Sequence, residues 1–424
     1  MHPTRAAGLA ASRSVVEAVR AGSGLRWADL GYAGSSASVF EGQHVGGPRS
    51  DADAVAAIQG DPKTVALVRA DALGPGIGVV PVDGTDPVTA PESYPVTVAA
   101  DDADVLPDRV VSTLWVGDIM LGRRVGQAIT AARDVSLPFH ETADRLRAAD
   151  LTVGNLECTM SRNGRPTQGG DSFAGDPSFL SGVRDAGFDV IVLANNHLGD
   201  YGQTALSESV RAVSGAGFAT VGAGENLAAA LEPAVVERRG VRFAVVAFNA
   251  IGETPAATDS SSGAASVGMP PRTGPVDEFA LRRITDTIAA ARQRADVVLA
   301  YPHWGQQYTH EPVPEQRTVA HRLIDAGADA VIGTHPHWVQ GMDLYQGRLV
   351  AHSLGNFVFD MTFSTQVQQG VALELVFWGN RAMGARLLPL RIGDRYMPQF
   401  LDGGDEAAQI RSDVWRASTG PFAA

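Results

Sequence analysis

Histidines concentrate in residues 297–360, a stretch that holds six of the ten histidines in the chain. His335 and His337 are separated only by Pro336, whose ring fixes the backbone and keeps both imidazoles out of a helix. Neutral imidazole is the commonest protein ligand for zinc and other transition metals. The stretch therefore indicates a metal site, although an isolated H-x-H pair is equally compatible with hydrogen-bonded loop histidines.

Short apolar runs precede these histidines. Residues 297–300, 330–333 and 349–351 are rich in Val, Ile and Leu and too short for helices, which predicts buried strands. Polar clusters that begin near His303, Thr334 and His352 follow the three runs. Ligands in open α/β sheets bind just outside the carboxyl ends of the strands, so we expect these clusters to meet in one crevice.

Three earlier strands end in the same way. Asp118 follows a strand predicted at 112–116, Glu157 follows one at 151–153, and residues 189–194 lead into Asn-Asn-His-Leu-Gly-Asp at 195–200. Strand alternation leaves Asn155 on the same face as Glu157. We expect these strand ends to bring carboxylates, amides and an imidazole together at one edge of the sheet, which indicates a metal or catalytic centre. For Asp118 alone, the alternative is that it caps the N-terminus of a helix.

The surrounding pattern alternates strands and helices, which predicts an α/β domain of at least two packed layers over residues 110–395. Helical periodicity is present at 141–149, 203–215, 279–294 and 315–326, and Asp176 before Pro177 is typical of a helix start. Strands at 371–378 and 385–392 are separated by a short turn and are expected to be antiparallel. Residues 249–275 form a long loop of a kind that is usually functional or disordered.

Residues 1–105 are expected to form a separate, small α+β module, and residues 396–424 a C-terminal tail. Within the module we expect a short helix at 53–58, a strand at 64–70 and an edge strand after the glycine-rich turn at 74–78. The module contains no catalytic constellation.

Composition excludes several classes of function. The net charge of −13 gives no basic face for nucleic acid, so no nucleic-acid partner is expected. The single cysteine, Cys158, excludes an intrachain disulfide and a cysteine-based zinc site. A lone semi-buried thiol is its usual explanation, and a nucleophile beside Glu157 is the alternative. No signal peptide is predicted, and no apolar run approaches the ~20 residues that span a bilayer. The place of the protein in the cell is therefore unknown from the sequence.

Six ordered motifs resemble the CapA family of capsule and poly-gamma-glutamate biosynthesis, which is itself similar to the calcineurin-like metallophosphoesterases. They are GDIMLGR at 117–123, NLE at 155–157, NNHLGDYG at 195–202, HWG at 303–305, GADAVIGTHPHWVQG at 327–341 and SLGNFVFD at 353–360. The resemblance covers residues 113–392 and implies a four-layer sandwich of two mixed sheets flanked by helices. Residues 65–98 are similar to the end of a substrate-binding-protein-like lobe, which implies that the N-terminal module is part of such a lobe.

The resemblance also implies a centre of two divalent metal ions, with Mn, Zn, Fe and Mg not distinguished. Its implied ligands are Asp118, Glu157, Asn196, His303, His335 and His337, with Glu157 bridging. His197, oriented by Asp200, is the implied general acid. Arg123, Asn155, Ser353 and Asn356 are the candidate substrate contacts, with a structural ion pair as the alternative for Arg123. Met120 stands where the phosphoesterase D-x-H motif has histidine, and Glu157 where aspartate is usual.

Two functions remain open. The first is a hydrolase or transferase acting at a phosphoryl or acyl (gamma-glutamyl) centre of an anionic polymer or a phosphorylated small molecule. The second is a non-catalytic, metal-stabilised accessory subunit that contacts other subunits of a polyglutamate synthesis or export complex. For either, the family implies the outer face of the cytoplasmic membrane. A serine hydrolase is disfavoured because Ala351 occupies the first glycine position of a G-x-S-x-G elbow around Ser353.

Overall fold

The computed structural model describes residues 1–21, 23, 25, 27–31, 50–62, 64–96 and 109–423. The strands are β1 (Val110–Ile119), β2 (Leu151–Leu156), β3 (Thr159–Met160), β4 (Ala174–Gly175), β5 (Val190–Val192), β6 (Ala219–Val221), β7 (Ala223–Gly224), β8 (Ala234–Arg238), β9 (Val241–Asn249), β10 (Gly263–Ala264), β11 (Val297–His303), β12 (Ala330–Ile332), β13 (Met342–Tyr345), β14 (Arg348–Ala351), β15 (Asn356–Val358), β16 (Gln369–Trp378), β17 (Arg381–Ile392) and β18 (Pro398–Phe400). The α-helices are α1 (Arg13–Arg20), α2 (Asp51–Gly60), α3 (Arg123–Ala132), α4 (Ala143–Ala148), α5 (Leu180–Asp185), α6 (Gln203–Gly215), α7 (Leu227–Leu231), α8 (Glu278–Ala291), α9 (Pro314–Asp325) and α10 (Gly404–Arg416).

Two large mixed sheets form the body of the α/β fold. The first has eight strands in the order β18-β17-β16-β1-β2-β5-β6, with β15 also paired to β1, and the second has six in the order β13-β14-β12-β11-β9-β8. The runs β1-β2-β5-β6 and β9-β11-β12-β14 are parallel. Strands β16 and β17 are antiparallel, which confirms the predicted pairing.

Alternating side chains explain how the sheets pack. Along β9, Phe243 and Val245 belong to a hydrophobic cluster between the two sheets, whereas Ala244 and Val246 belong to a cluster with α8 and α9. A strand that is buried on both faces has apolar residues at nearly every position, as the sequence of β9 does. A third cluster joins the other face of the first sheet to α3, α5 and α6.

A hydrogen bond in the core links the two sheets. The hydroxyl of Tyr301 on β11 donates to the carbonyl of Val116 on β1 at 2.5 Å, and the Tyr301 ring lies 5.9 Å from that of Trp115. All three residues are fully buried. A buried hydroxyl needs such a partner, so this bond fixes how β11 sits over β1.

The helices follow the sequence periodicity closely. Helix α6 has the predicted bounds, and the predictions for α8 and α9 miss by one to three residues at each end. The predicted Asp176 cap is confirmed, because Asp176 accepts a hydrogen bond from the Ser178 N–H at 2.9 Å, and a 3₁₀ turn then precedes α5.

In the N-terminal module the helix prediction is confirmed and the strand predictions are wrong. Ser50 and Asp53 form a capping box at the start of α2. Residues 64–70, all described, form no strand, and the predicted edge strand is replaced by single bridges from Val82 to Ala11 and Thr85. A strand requires a neighbour to complete its ladder, and only these isolated bridges are available here.

Both ends of the chain pack against the first sheet. The indole N–H of Trp378 donates to the carbonyl of Val88 at 2.8 Å, which ties the N-terminal module to β16. The segment expected as a tail contains β18, paired with β17, and α10, whose Ile410 and Val414 join the inter-sheet cluster. Within the described ranges, no helix combines the length and hydrophobicity needed to cross a bilayer.

Candidate metal centre

The implied metal ligands gather at the carboxyl ends of parallel strands from both sheets. The first sheet supplies residues at the ends of β1, β2 and β5, and the second supplies residues at the ends of β11 and β12. Each is at most 2% exposed, so the cluster is fully buried. Its members are Asp118, Glu157, Asn196, His303, His335 and His337.

Five of these residues form two potential ligand groups. One consists of Glu157, His303 and His335, and the other of Asp118, Glu157 and His337. In each group, one ligand atom per residue lies within 4.8 Å of the others. Glu157 belongs to both, which is the placement that a bridging carboxylate requires.

Glu157 and His335 carry buried polar atoms that lack hydrogen-bond partners. Both carboxylate oxygens of Glu157 and both ring nitrogens of His335 are unpaired. Nε2 of His303 lies 3.4 Å from Oε1 of Glu157, but its hydrogen bond goes to Oδ1 of Asn196 at 2.8 Å. Each orphaned buried group costs about 1–3 kcal/mol, and more when charged. A cation bound here would supply the missing partner, so these residues fit a metal.

Asp118 is held in place by its neighbours on both sheets. Its Oδ1 accepts from Nδ2 of Asn155 at 2.8 Å, and its Oδ2 accepts from the backbone N–H of His335 at 3.3 Å. The alternative that Asp118 caps a helix is wrong, because Asp118 lies within β1 and the N-cap of α3 is Gly122.

Burial shifts the pKa values of the cluster in opposite directions. It raises the pKa of Asp118 to about 7, and burial together with the nearby Asp118 raises the pKa of Glu157 well above its ordinary value. Burial lowers the pKa of His303 and His335 well below 6.5, and that of His337 to about 4. Neutral imidazole is the form that coordinates metals, and a bound cation favours ionised carboxyl groups.

The backbone around the cluster is strained. Among the described residues, eleven that are not glycine have positive φ, and five of them surround this site. These five are Arg123 (43°), Glu253 (64°), Tyr308 (62°), His335 (100°) and His337 (59°). Such conformations cost about 1–3 kcal/mol each and concentrate at functional sites, where the surrounding structure enforces them.

The implied general acid, His197, lies beside the ligand groups. Its Nδ1 is 2.7 Å from Oδ2 of Asp200, and its Nε2 is 4.0 Å from Oε1 of Glu157. The imidazole stacks on Phe173 at a centroid distance of 3.9 Å. Asp200 also accepts hydrogen bonds from the Phe173 N–H and from Gln168. The ring is therefore locked with Nε2 toward the cluster.

Two of the four candidate substrate contacts join the cluster. Asn155 bonds Asp118 as described, and Oδ1 of Asn356 lies 2.9 Å from Nδ1 of His337. Both side chains therefore orient implied ligands.

The other two candidates bond residues outside the ligand groups. Arg123 forms an ion pair with Asp360, and its guanidinium lies 4.3 Å from the centroid of the Phe173 ring. The hydroxyl of Ser353 bonds the backbone of Trp338 and Gly355, within a turn rather than with the ligand residues.

Sequence reasoning assigned no role to several residues around the centre. Asn195 donates to Oδ1 of Asn155 at 2.9 Å and accepts from the His197 N–H at 3.1 Å. Asp360 holds Arg123, and it stands at the end of the SLGNFVFD motif, which is the signal that could have identified it. Glu253 contacts Asn196 from the long loop after β9, where only the loop length gave a signal.

Cys158 is a structural residue. Its thiol is fully buried, packs 3.5 Å from the sulfur of Met160, and has a pKa raised by burial to about 12. The structure thus favours the lone buried thiol over a nucleophile.

The sequence is similar to known proteins of capsule synthesis. The family model described as "Bacterial capsule synthesis protein PGA_cap" matches residues 112–361. The capsule biosynthesis protein CapA of Bacillus anthracis is 30% identical over 282 residues, covering 65% of this chain and 66% of that protein. The PGA biosynthesis protein CapA of Bacillus subtilis (strain 168) is 31% identical over 256 residues, covering 60% and 64%.

Two further similarities extend this comparison. A probable polyglutamine synthesis accessory protein of Mycobacterium tuberculosis is 30% identical over 256 residues, covering 58% of this chain and 65% of that protein. A hypothetical protein from Thermus thermophilus aligns with a TM-score of 0.41 and 20% identity over 66% of this chain and 99% of that chain. The chain spans just under two thirds of the length of the three sequence relatives. With more than half of its residues matched by the family model, the chain belongs to the bacterial capsule synthesis family PGA_cap, within the metallophosphoesterase-like superfamily.

Proposed function

We propose that this chain is a metal-dependent hydrolase or transferase of capsule or poly-gamma-glutamate biosynthesis, acting at a phosphoryl or acyl centre. The names of the Bacillus relatives support the biosynthetic role. The observation that carries the catalytic part is the buried, unpaired carboxylate of Glu157 shared by two ligand groups. Because those relatives are longer than the matched segment, substrates and partners are part of the proposal.

The proposal includes a four-layer sandwich. The three hydrophobic clusters support it, because they lie between helices and the first sheet, between the two sheets, and between the second sheet and its helices. This order leaves the strand ends of both sheets facing one rim, where a ligand site is expected.

Two divalent ions, when bound, would polarise a substrate oxygen and lower the pKa of water. The implied ligands Asp118, Glu157, Asn196, His303, His335 and His337 would hold them. Three imidazoles in the set favour Zn or Fe over Mg, because Mg²⁺ prefers oxygen ligands.

The remaining chemistry belongs to His197. With Nδ1–H held by Asp200, the imidazolium form carries a transferable proton on Nε2, on the side that faces Glu157. His197 would give that proton to the leaving oxygen or nitrogen, and Asp200 would stabilise the charged ring. Such a positioned acid contributes about 10²- to 10⁴-fold in rate.

Two arginines near the cluster suit an anionic substrate, despite the net charge of −13. Burial lowers the pKa of His337 most, and His197 and Arg123 lower it further. Arg272 is among the groups that lower the pKa of His335. Both guanidinium groups are therefore close enough to act on the cluster electrostatically. Their side chains are 26% and 38% exposed and are paired with Asp360 and Glu253, so each presents part of its positive charge to solvent. A polyglutamate chain or a phosphoester would be attracted by these two positive charges as it approaches the cluster.

The second candidate is a metal-stabilised accessory subunit of a polyglutamate synthesis or export complex. Met120 favours it, because the residue in the usual histidine position is fully buried and its sulfur accepts a hydrogen bond from the Gly122 N–H at 3.0 Å. One potential imidazole ligand is therefore replaced by a core side chain. The relative named as an accessory protein also supports this candidate.

Elemental analysis followed by an activity screen separates the two candidates. The purified chain would be loaded with Mn²⁺ or Zn²⁺ and assayed on phosphomonoesters, phosphodiesters and gamma-glutamyl peptides, beside His337→Ala and the control His321→Ala, whose ring stacks on Tyr345 away from the ligand groups. We expect bound metal and turnover that only His337→Ala loses. Metal without turnover would favour the accessory role, and a wild-type chain without metal would refute both.

A further inference from the structure

The loop between β9 and β10 brings an acidic side chain to one of the implied metal ligands. Oε2 of Glu253 accepts a hydrogen bond from Nδ2 of Asn196 at 2.7 Å. Its other oxygen, Oε1, accepts from Nη2 of Arg272 at 2.6 Å. The Glu253 side chain is 28% exposed, so it stands at the edge of the buried cluster rather than inside it.

An asparagine amide has an oxygen end and a nitrogen end of nearly equal shape, and only the oxygen can bind a cation. An ionised carboxylate is an acceptor only, so Glu253 can pair only with the nitrogen end. That pairing turns Oδ1 of Asn196 toward the cluster, where it lies 2.8 Å from Nε2 of His303.

We propose that Glu253 is a positioning residue that fixes the amide orientation of Asn196 and thereby sets the metal affinity of the site. This inference rests on the proposed function, because it requires that the cluster binds metal. Residues that orient metal ligands in this way commonly change metal affinity 10- to 100-fold when removed, by order of magnitude.

The backbone around Glu253 is held against the Asn196 segment. Oγ1 of Thr254 accepts from the Gly199 N–H at 3.0 Å, three residues beyond Asn196. A Cβ at Gly199 would lie 2.7 Å from Cδ of Pro255, so glycine permits this close approach. Glu253 itself has φ of +64°, which L-residues rarely adopt. The loop thus keeps a strained conformation that places the carboxylate against the amide.

Arg272 acts on the opposite side of the same carboxylate. Its guanidinium donates to Oε1, which leaves Oε2 to accept from Asn196. Loss of Arg272 leaves the bond between Glu253 and Asn196 available, so we expect a smaller effect from Arg272→Ala than from Glu253→Ala.

Calorimetric titration of Mn²⁺ and of Zn²⁺ alone into the metal-free full chain tests the inference. We expect Glu253→Ala to raise Kd for at least one ion by about 10- to 100-fold. Glu253→Gln keeps an acceptor oxygen and is expected to stay within about threefold of wild type. The matched control is Glu278→Ala, which removes an exposed glutamate paired with Arg322 at 2.7 Å; we expect no change.

A double-mutant comparison distinguishes amide orientation from general weakening. Aspartate at position 196 offers oxygen at both ends, so Glu253→Ala is expected not to weaken binding further in an Asn196→Asp background. Wild-type affinity in Glu253→Ala, or equal weakening in Glu253→Gln and Glu253→Ala, would overturn the inference while the proposed function stands. A wild-type chain that binds neither ion would overturn both. Thermal unfolding of each metal-free variant shows whether it is folded.

Discussion

Oε1 of Glu157 lies 3.4 Å from Nε2 of His303, across the junction of the two sheets, and forms no hydrogen bond. Burial lowers the pKa of His303, so its ring is neutral and gives the buried carboxylate little electrostatic stabilisation. This pair is better explained as two ligands facing a common cation than as a salt bridge.

Glu157→Gln is expected to remove metal binding without weakening the metal-free fold. Glu157 belongs to both ligand groups, so its loss affects binding at each, and a neutral amide avoids the cost of ionising a buried carboxyl group. We expect less than one ion per chain by elemental analysis, and a metal-free Tm equal to or above that of wild type. Glu278→Gln, at a glutamate whose side chain is 62% exposed, serves as control. Retention of two ions by Glu157→Gln would contradict the bridging placement.

Added metal is expected to stabilise the chain through His335. A ligand at 1,000 times its Kd adds about 4 kcal/mol to the free energy of unfolding. Thermal unfolding with and without Mn²⁺ or Zn²⁺ should show this as a higher Tm that a chelator reverses. His335→Ala should lose most of the increase and His321→Ala should keep it. Equal increases in both variants would place the ion elsewhere.

Metal affinity is expected to fall as the pH drops below about 7. Burial raises the pKa of Asp118 to about 7 in the metal-free protein, so below that pH an ion must displace a proton. One displaced proton costs about tenfold in apparent affinity per pH unit. The same proton stabilises the metal-free fold at low pH, and this contribution is lost as the pH rises through about 7. Calorimetry in buffers of different ionisation enthalpy should count more protons released at pH 6 than at pH 8; equal counts would contradict the assignment.

His197→Ala is expected to separate chemistry from metal binding. The implied acid lies beside the ligand groups without belonging to either. If a substrate is found, kcat should fall about 10²- to 10⁴-fold with the metal content unchanged. Asp200→Asn should give a smaller loss, because the ring keeps its stack on Phe173. A loss of metal in His197→Ala would instead make this imidazole a ligand.

Gly117→Ala is expected to disturb both stability and the site. A Cβ at Gly117 would lie 1.8 Å from the carbonyl oxygen of Gly355, so β1 must shift and carry Asp118 with it. Overpacking of this kind costs about 1–3 kcal/mol. Urea unfolding and metal titration measure the two effects. Gly215→Ala, at a helix end with open space, is the control, and similar stability of the two variants would contradict the expectation.

Periodicity predicted the elements of the second half of the chain because those strands and helices bury continuous apolar surfaces. It failed at residues 64–70, where apolar residues pack without a neighbouring strand to complete a ladder. The strand ends predicted that the implied ligand residues would come together, and five of them lie in two close groups. Glu253 could not be found in this way, because its role depends on the approach of a loop to Asn196 and on a positive φ that no residue type signals.

The bond from Tyr301 to Val116 has a mechanical consequence. Asp118, Glu157 and Asn196 come from one sheet and the three histidines from the other, so a slip of one residue, about 3.3 Å, would pull the two halves of the centre apart. The hydrogen bond of Tyr301 holds the two sheets in register in the metal-free protein. An ion bound between them would then act as a cross-link, so that neither half could unravel while the other stayed intact.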